Sequence, residues 1–165
     1  MSHCAFDCLE QQWGPFTVDC FASDSNSRVS CFYSKLFSDK SIGMDAFAFS
    51  WDQEHCWLCP PVKLVVPAVK HLLSGSGSGV LCCPLWTVSS FWPLLCPDGV
   101  HLAEFIENHV IFSPKYFSAP TVTSKMFRGV PHWDTIAIFI GNHCTSFSSK
   151  IDRSHCIKDG CNKCC

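Results

Sequence analysis

Charge is scarce in this chain. Only 16% of its 165 residues are Asp, Glu, Lys or Arg, and 14 acids against 12 bases leave a formal net charge of −2. Without a global basic field there is no long-range pull on nucleic acid, although a local patch remains compatible with binding. Low charge together with 47% hydrophobic residues excludes a disordered chain, which needs the opposite balance. A membrane-spanning run is also missing, because the apolar stretch 57–73 is broken by Lys63, Lys70, His71 and three prolines. The segment Met1 to Trp13 holds Asp7 and Glu10 and lacks a basic start followed by an apolar run, so no secretory signal is expected.

Cysteine, by contrast, is abundant, with 14 in the chain. Cys20, Cys56, Cys59, Cys82 and Cys83 lie inside apolar, strand-like runs, where cysteine behaves as a small hydrophobe. With no secretory signal, the expectation is reduced thiols in an intracellular protein, in nucleus or cytoplasm, and not a disulfide scaffold.

The length fits one domain with its own core. Residues 1–13 read as an N-terminal lead, 14–141 as the domain and 142–165 as a Cys-rich, poorly ordered tail. Phe16 to Ala22, Val29 to Ser34, His55 to Cys59, Val80 to Trp86, Val110 to Phe117 and Thr135 to Ile140 read as strands. Asp45 to Trp51 fits either a strand or one helical turn, and 35–44 a loop. Val62 to Leu73 has Val65, Val69, Leu72 and Leu73 on one helical face, with Pro67 tolerable only near the first turn. Short helices are expected from Ser89–Ser90 to Leu95 and over Leu102 to Asn108, and loops at 74–79 and 118–134. Strands alternating with helices predict an α/β fold with a mostly parallel sheet.

The segment Trp57-Leu-Cys-Pro-Pro-Val62 ends a strand in a double proline and opens a helix. Alone, such a pair reads as a strand-to-helix stop. It stands in an ordered series: Val18-Asp-Cys-Phe-Ala-Ser23, then Asn26, then Cys31-Phe-Tyr33, then Asp45-Ala-Phe47 with Trp51, then Cys59-Pro-Pro61, then Gly79-Val-Leu81 with Pro84, then Trp92. Over about 14–140 this order resembles the phage-type DNA adenine-N6 methyltransferases. It resembles more closely the related domain in polyproteins of DIRS-type retrotransposons, the elements that integrate with a tyrosine recombinase. The resemblance implies a Rossmann-like methyltransferase fold, with S-adenosylmethionine in a crevice at the carboxyl ends of the strands. It implies that Cys59, Pro60, Pro61 and Val62 occupy the catalytic tetrapeptide, and that Asp19 and Asp45 occupy the family's acidic, cofactor-side positions. That tetrapeptide reads Asp or Asn, Pro, Pro, aromatic, because a poorly nucleophilic base amine needs an oxygen acceptor and the flipped base a ring to stack on. Cys59 offers only a weak sulfur acceptor and Val62 no ring. The expectation is therefore a degenerate, catalytically inactive domain from a retroelement polyprotein, cut from a longer chain, with DNA and neighbouring polyprotein domains as partners and no membrane.

Other readings compete. Thr17 to Ser23 also looks like the first catalytic strand of RNase H, which would need further acids from Asp45, Asp98, Glu104 or Asp134 for a two-metal site. A non-catalytic module binding nucleic acid or polyprotein neighbours is the third possibility. Asp19 equally fits a carboxylate capping a turn, and Cys59 an inert thiol at a strand end rather than a nucleophile. In the tail, Cys156, Cys161 and Cys164 with His155 or Cys165 have zinc-ligand types but no trusted finger spacing. The aromatics read as core, and His71, His101, His109, His132 and His143 as surface or satisfied core residues.

Overall fold

The computed structural model describes residues 3–114, 132–141 and 156–157. In chain order the elements are helix α1 (His3–Trp13), strands β1 (Val18–Ala22), β2 (Phe32–Ser34) and β3 (Gly43–Met44), a 3-10 turn Ala46–Ala48, and β4 (His55–Leu58). A second 3-10 turn, Val62–Leu64, leads into α2 (Val65–Leu73), followed by β5 (Ser78–Pro84), α3 (Trp92–Leu95), β6 (Ile106–Phe112), β7 (Thr135–Ile140) and β8 (Cys156–Ile157). The strands form one sheet in the order β3-β2-β1-β4-β5-β7-β6-β8. Pairings from β3 across to β5 are parallel, as is β6 with β8. Only β7 runs against its neighbours, β5 and β6. The protein is thus mixed α/β with a mostly parallel sheet flanked by helices.

Strand periodicity divides the core in two. Val18, Cys20, Cys56, Leu58, Leu81, Cys83, Ile136 and Ile138 join the cluster that includes Val65, Ala68, Val69 and Leu72 of α2 and Trp92 and Leu95 of α3. Trp57, Val80, Cys82, Val110, Phe112 and Ala137 join Ala5, Phe6 and Leu9 of α1 on the other side. Central strands covered on both faces must be apolar throughout. The sequence Val80-Leu-Cys-Cys83 satisfies this and is buried along its length.

Several expectations shift. The segment 102–108 does not form a helix: Ile106 begins β6 and pairs beside Ile140, with a register irregularity before Asn108. The ladder to β7 buries Ile106, Val110, Ile111 and Phe112 at once, and that non-local gain overrides local helix preference. The expected loop 35–44 ends in the two-residue strand β3. Gly43 leaves room there for the Phe49 ring, one carbon of which would lie 2.5 Å from a Cβ. Of the two options at 45–51, a short helical turn forms. In α2, Ala68 joins the buried face, whereas Leu73 stays 42% exposed. Pro67 falls in the first turn of α2, where no intrahelical N–H bond is lost. Among the described residues no helix is long and apolar enough to cross a membrane.

Candidate functional site

In an open doubly wound sheet, ligand crevices open at the carboxyl ends of the strands where the strand order reverses. Here that point lies between β1 and β4. The chain moves outward from β1 to β2 and β3, then returns to the other side of β1. The segments leaving these two strands are the turn 23–27 and the junction 59–62.

Register places Asp19 level with Trp57, two residues short of Cys59. Asp19 is therefore inside β1, below the strand exit, and only 3% exposed. Its carboxylate accepts from the backbone N–H of Phe21 at 3.3 Å and of Arg28 at 3.1 Å. Burial pushes its pKa up to about 6, outweighing those two bonds and the Arg28 charge, which act in the opposite direction. Asp19 pins the β1 turn from beneath. The turn also closes on itself, with Asn26 Oδ1 accepting from Ser23 N at 2.7 Å and Ser23 Oγ at 2.9 Å.

Cys59 is exposed just beyond β4, not buried within the strand. Its thiol is nevertheless held above the ordinary cysteine range, first by desolvation and then by the nearby Asp19 charge. A raised thiol is protonated at neutral pH, which disfavours nucleophilic attack. Pro60 is buried and Pro61 exposed, and Pro61 opens the turn into α2. Val62 is half-buried and packs on the α2-side core. These four residues directly follow β4, with Cys59 and Pro61 exposed, Val62 half-buried and Pro60 buried.

Asp45 follows β3 with φ 59° and caps the 3-10 turn by accepting from Phe47 N at 3.2 Å. Local turn closure thus accounts for both acidic positions. The turn after β1 reads Ser23-Asp-Ser-Asn-Ser27, with no glycine, so each of its residues carries a Cβ toward anything approaching the strand exit.

Among the described residues no three His, Cys, Asp or Glu side chains are placed to hold a metal ion. Asp19, Asp45, Asp98, Glu104 and Asp134 are all described, so they do not gather into a two-metal centre. His155, Cys161, Cys164 and Cys165 lie outside the described residues, and of Cys156 only the backbone, in β8, is described. The described cysteines, Cys20, Cys56, Cys82 and Cys83 among them, are free thiols.

Two histidine contacts escaped the sequence reading. His55 Nε2 lies 2.5 Å from the Trp13 carbonyl and Nδ1 2.8 Å from Ser78 Oγ. A carbonyl only accepts, so Nε2 carries the hydrogen and the Ser78 hydroxyl donates to Nδ1. The ring, stacked on Phe16 at 5.1 Å, ties the end of α1 to β4 and β5. His101 Nδ1 pairs with Asp98 Oδ2 at 2.7 Å. Asp98 is held well below the usual carboxylate range, chiefly by the backbone N–H of His101. An Asp three residues before a His was the one legible signal for that pair; nothing in periodicity marked His55.

Comparison of the sequence with protein-family models and with curated proteins yields no match.

Proposed function

We propose that this chain is a Rossmann-like, methyltransferase-type domain of a DIRS-type retroelement polyprotein that has lost catalysis and serves as a non-catalytic interaction module. The strand order carries this reading. A doubly wound 3-2-1-4-5 arrangement, continued here by the reversed strand β7 between β5 and β6, supports the Rossmann-like class that the sequence resemblance implies. The Cys59-Pro-Pro-Val62 junction leaves β4 beside the reversal point, where those enzymes hold the base amine.

Loss of catalysis follows from the site's residues. Cys59 presents a protonated sulfur where an oxygen acceptor is needed. Val62 packs inward and offers no ring. The β1 turn lacks glycine, and the Asp19 carboxylate is buried and already bonded. Titration calorimetry with S-adenosylmethionine should give no binding heat, and the wild-type chain should not methylate adenine in duplex DNA. Micromolar binding or measurable transfer would overturn the inactive reading.

The interaction role rests on Leu36, Phe37, Ile42 and Met44, which are 73%, 82%, 51% and 51% exposed around β2 and β3. Large apolar side chains grouped at a sheet edge mark contact surfaces. A gel shift with DNA that needs no cofactor, or co-purification with the adjoining polyprotein domains, supports this role. Absence of both at low salt counts against it.

A further inference from the structure

A cleft of about 340 Å³ opens where the chain enters β4 and β5, at the amino ends of those strands. This is the opposite end from the crevice discussed above, and no part of the methyltransferase resemblance accounts for it. Its volume falls in the range of small-ligand sites. The rings of Phe47, Phe49, Trp51 and His71 line it, together with Ser50, Asp52 and Ser74.

The hydrogen-bonding inventory of this lining is one-sided. Ser50 Oγ donates to Asp52 Oδ2 at 2.6 Å, and Ser74 Oγ donates to the His71 carbonyl at 2.7 Å. Trp51 Nε1 donates to the Ala46 carbonyl at 3.0 Å. His71 Nε2 lies 2.9 Å from the Phe49 carbonyl and so carries its hydrogen toward it. Each side-chain donor of the neutral lining is therefore committed within the protein. Acceptors remain. Asp52 has about four acceptor directions; Ser50 Oγ, Ser76 N and Ser76 Oγ take three. Those bonds, led by Ser50, hold the Asp52 carboxyl below its ordinary range, so it stays charged. No lysine or arginine is among the described residues lining the cleft. Gly75 permits the arrangement, because a Cβ there would lie 2.5 Å from Asp52 Oδ1.

A negatively charged, aromatic-walled cleft with open acceptors and no free side-chain donor selects a ligand that is cationic, donor-bearing and apolar along its stem. We propose that this cleft binds a protonated primary alkyl amine, its ammonium donating to Asp52 and its methylenes lying along Phe47 and Phe49. The neutral side chains of this lining leave no donor for an anion or an acceptor-only ligand. Ammonium and ring face also attract through the ring quadrupole. A lysine side chain and a free aliphatic polyamine share this chemistry.

The test is an NMR titration of the full chain with n-butylammonium chloride, using n-butanol as the neutral isostere and following His71 and Gly75. Butylammonium should bind at least about tenfold more tightly than butanol, as expected for one charge-assisted hydrogen bond. Asp52→Asn should abolish that preference. Because Asp52 also holds Ser76, a second variant guards against misfolding. Ala48→Lys, at an exposed lining position, supplies a tethered ammonium and should weaken butylammonium binding about tenfold with the fold intact. Nα-acetyl-lysine amide and spermidine, run in parallel, identify which source fits better. Equal affinity for butylammonium and butanol, no shift with any amine, or unchanged butylammonium binding in Ala48→Lys would overturn the proposal.

Discussion

Asp19 occupies the second position of β1 with two backbone amides as partners, and its ionisation moves from 3.8 to about 6. Between those values the native state holds the proton more tightly than the unfolded chain does. The resulting stabilisation is complete below about 3.8 and is lost as pH rises through about 6. A shift of this size corresponds to about 3 kcal/mol. Urea midpoints of wild type and Asp19→Asn at pH 4 and pH 7 should show the wild type losing stability across that interval and the variant losing less. Parallel profiles would show that the ionised carboxylate is not strained by burial. At the β4 exit, Cys59→Asn with Val62→Tyr restores an acceptor and a ring, yet the glycine-free turn after β1 remains. The double variant should still transfer no methyl group to adenine-containing DNA in a radiolabel assay; transfer would show that the turn tolerates the cofactor. The place of these residues in the chain was legible, because strand and proline signals are local. Their state was not, because the partners of Asp19 depend on how 23–28 folds back, and the accessibility of Cys59 depends on what surrounds it.

At the scale of elements, β5 and β7 were readable as unbroken apolar runs, and α2 from its buried spacing. The helix α1 was not assigned, although Ala5, Phe6 and Leu9 recur at helical intervals and are buried. Its polar residues masked that stripe, and what it covers comes from strands far along the chain. Phe6 meets Trp57 edge-on at 4.9 Å and Phe16 at 5.8 Å. Phe6→Ala should therefore cost about 3–5 kcal/mol in denaturant unfolding, as for other buried aromatic truncations. A loss below about 1 kcal/mol would mean that α1 docks only loosely. The strand β6 was half missed for the converse reason: its start at Ile106 depends on β7, which follows only after a long connection.

For the whole molecule, β3 and β8 stand at the two ends of the described sheet. Phe37→Ser with Ile42→Ser removes apolar surface that is already in water, so unfolding free energy should change by less than about 1 kcal/mol. Light scattering at high protein concentration should show weaker self-association than wild type; equal association would place the sticky surface elsewhere. The two core clusters also have a history in time. Phe6 and Leu9 precede in synthesis every strand they cover, and Ala137 on that same face is added more than a hundred residues later. At translation rates of about 5–20 residues per second, the interval is on the order of ten seconds. Through that interval the apolar stripe of α1 has only part of its native seat, from Phe16, Trp57, Val80 and Cys82. The nascent chain must hold it in transient contacts or pass it to a chaperone, and its final closure waits for β7, the strand that reverses the sheet.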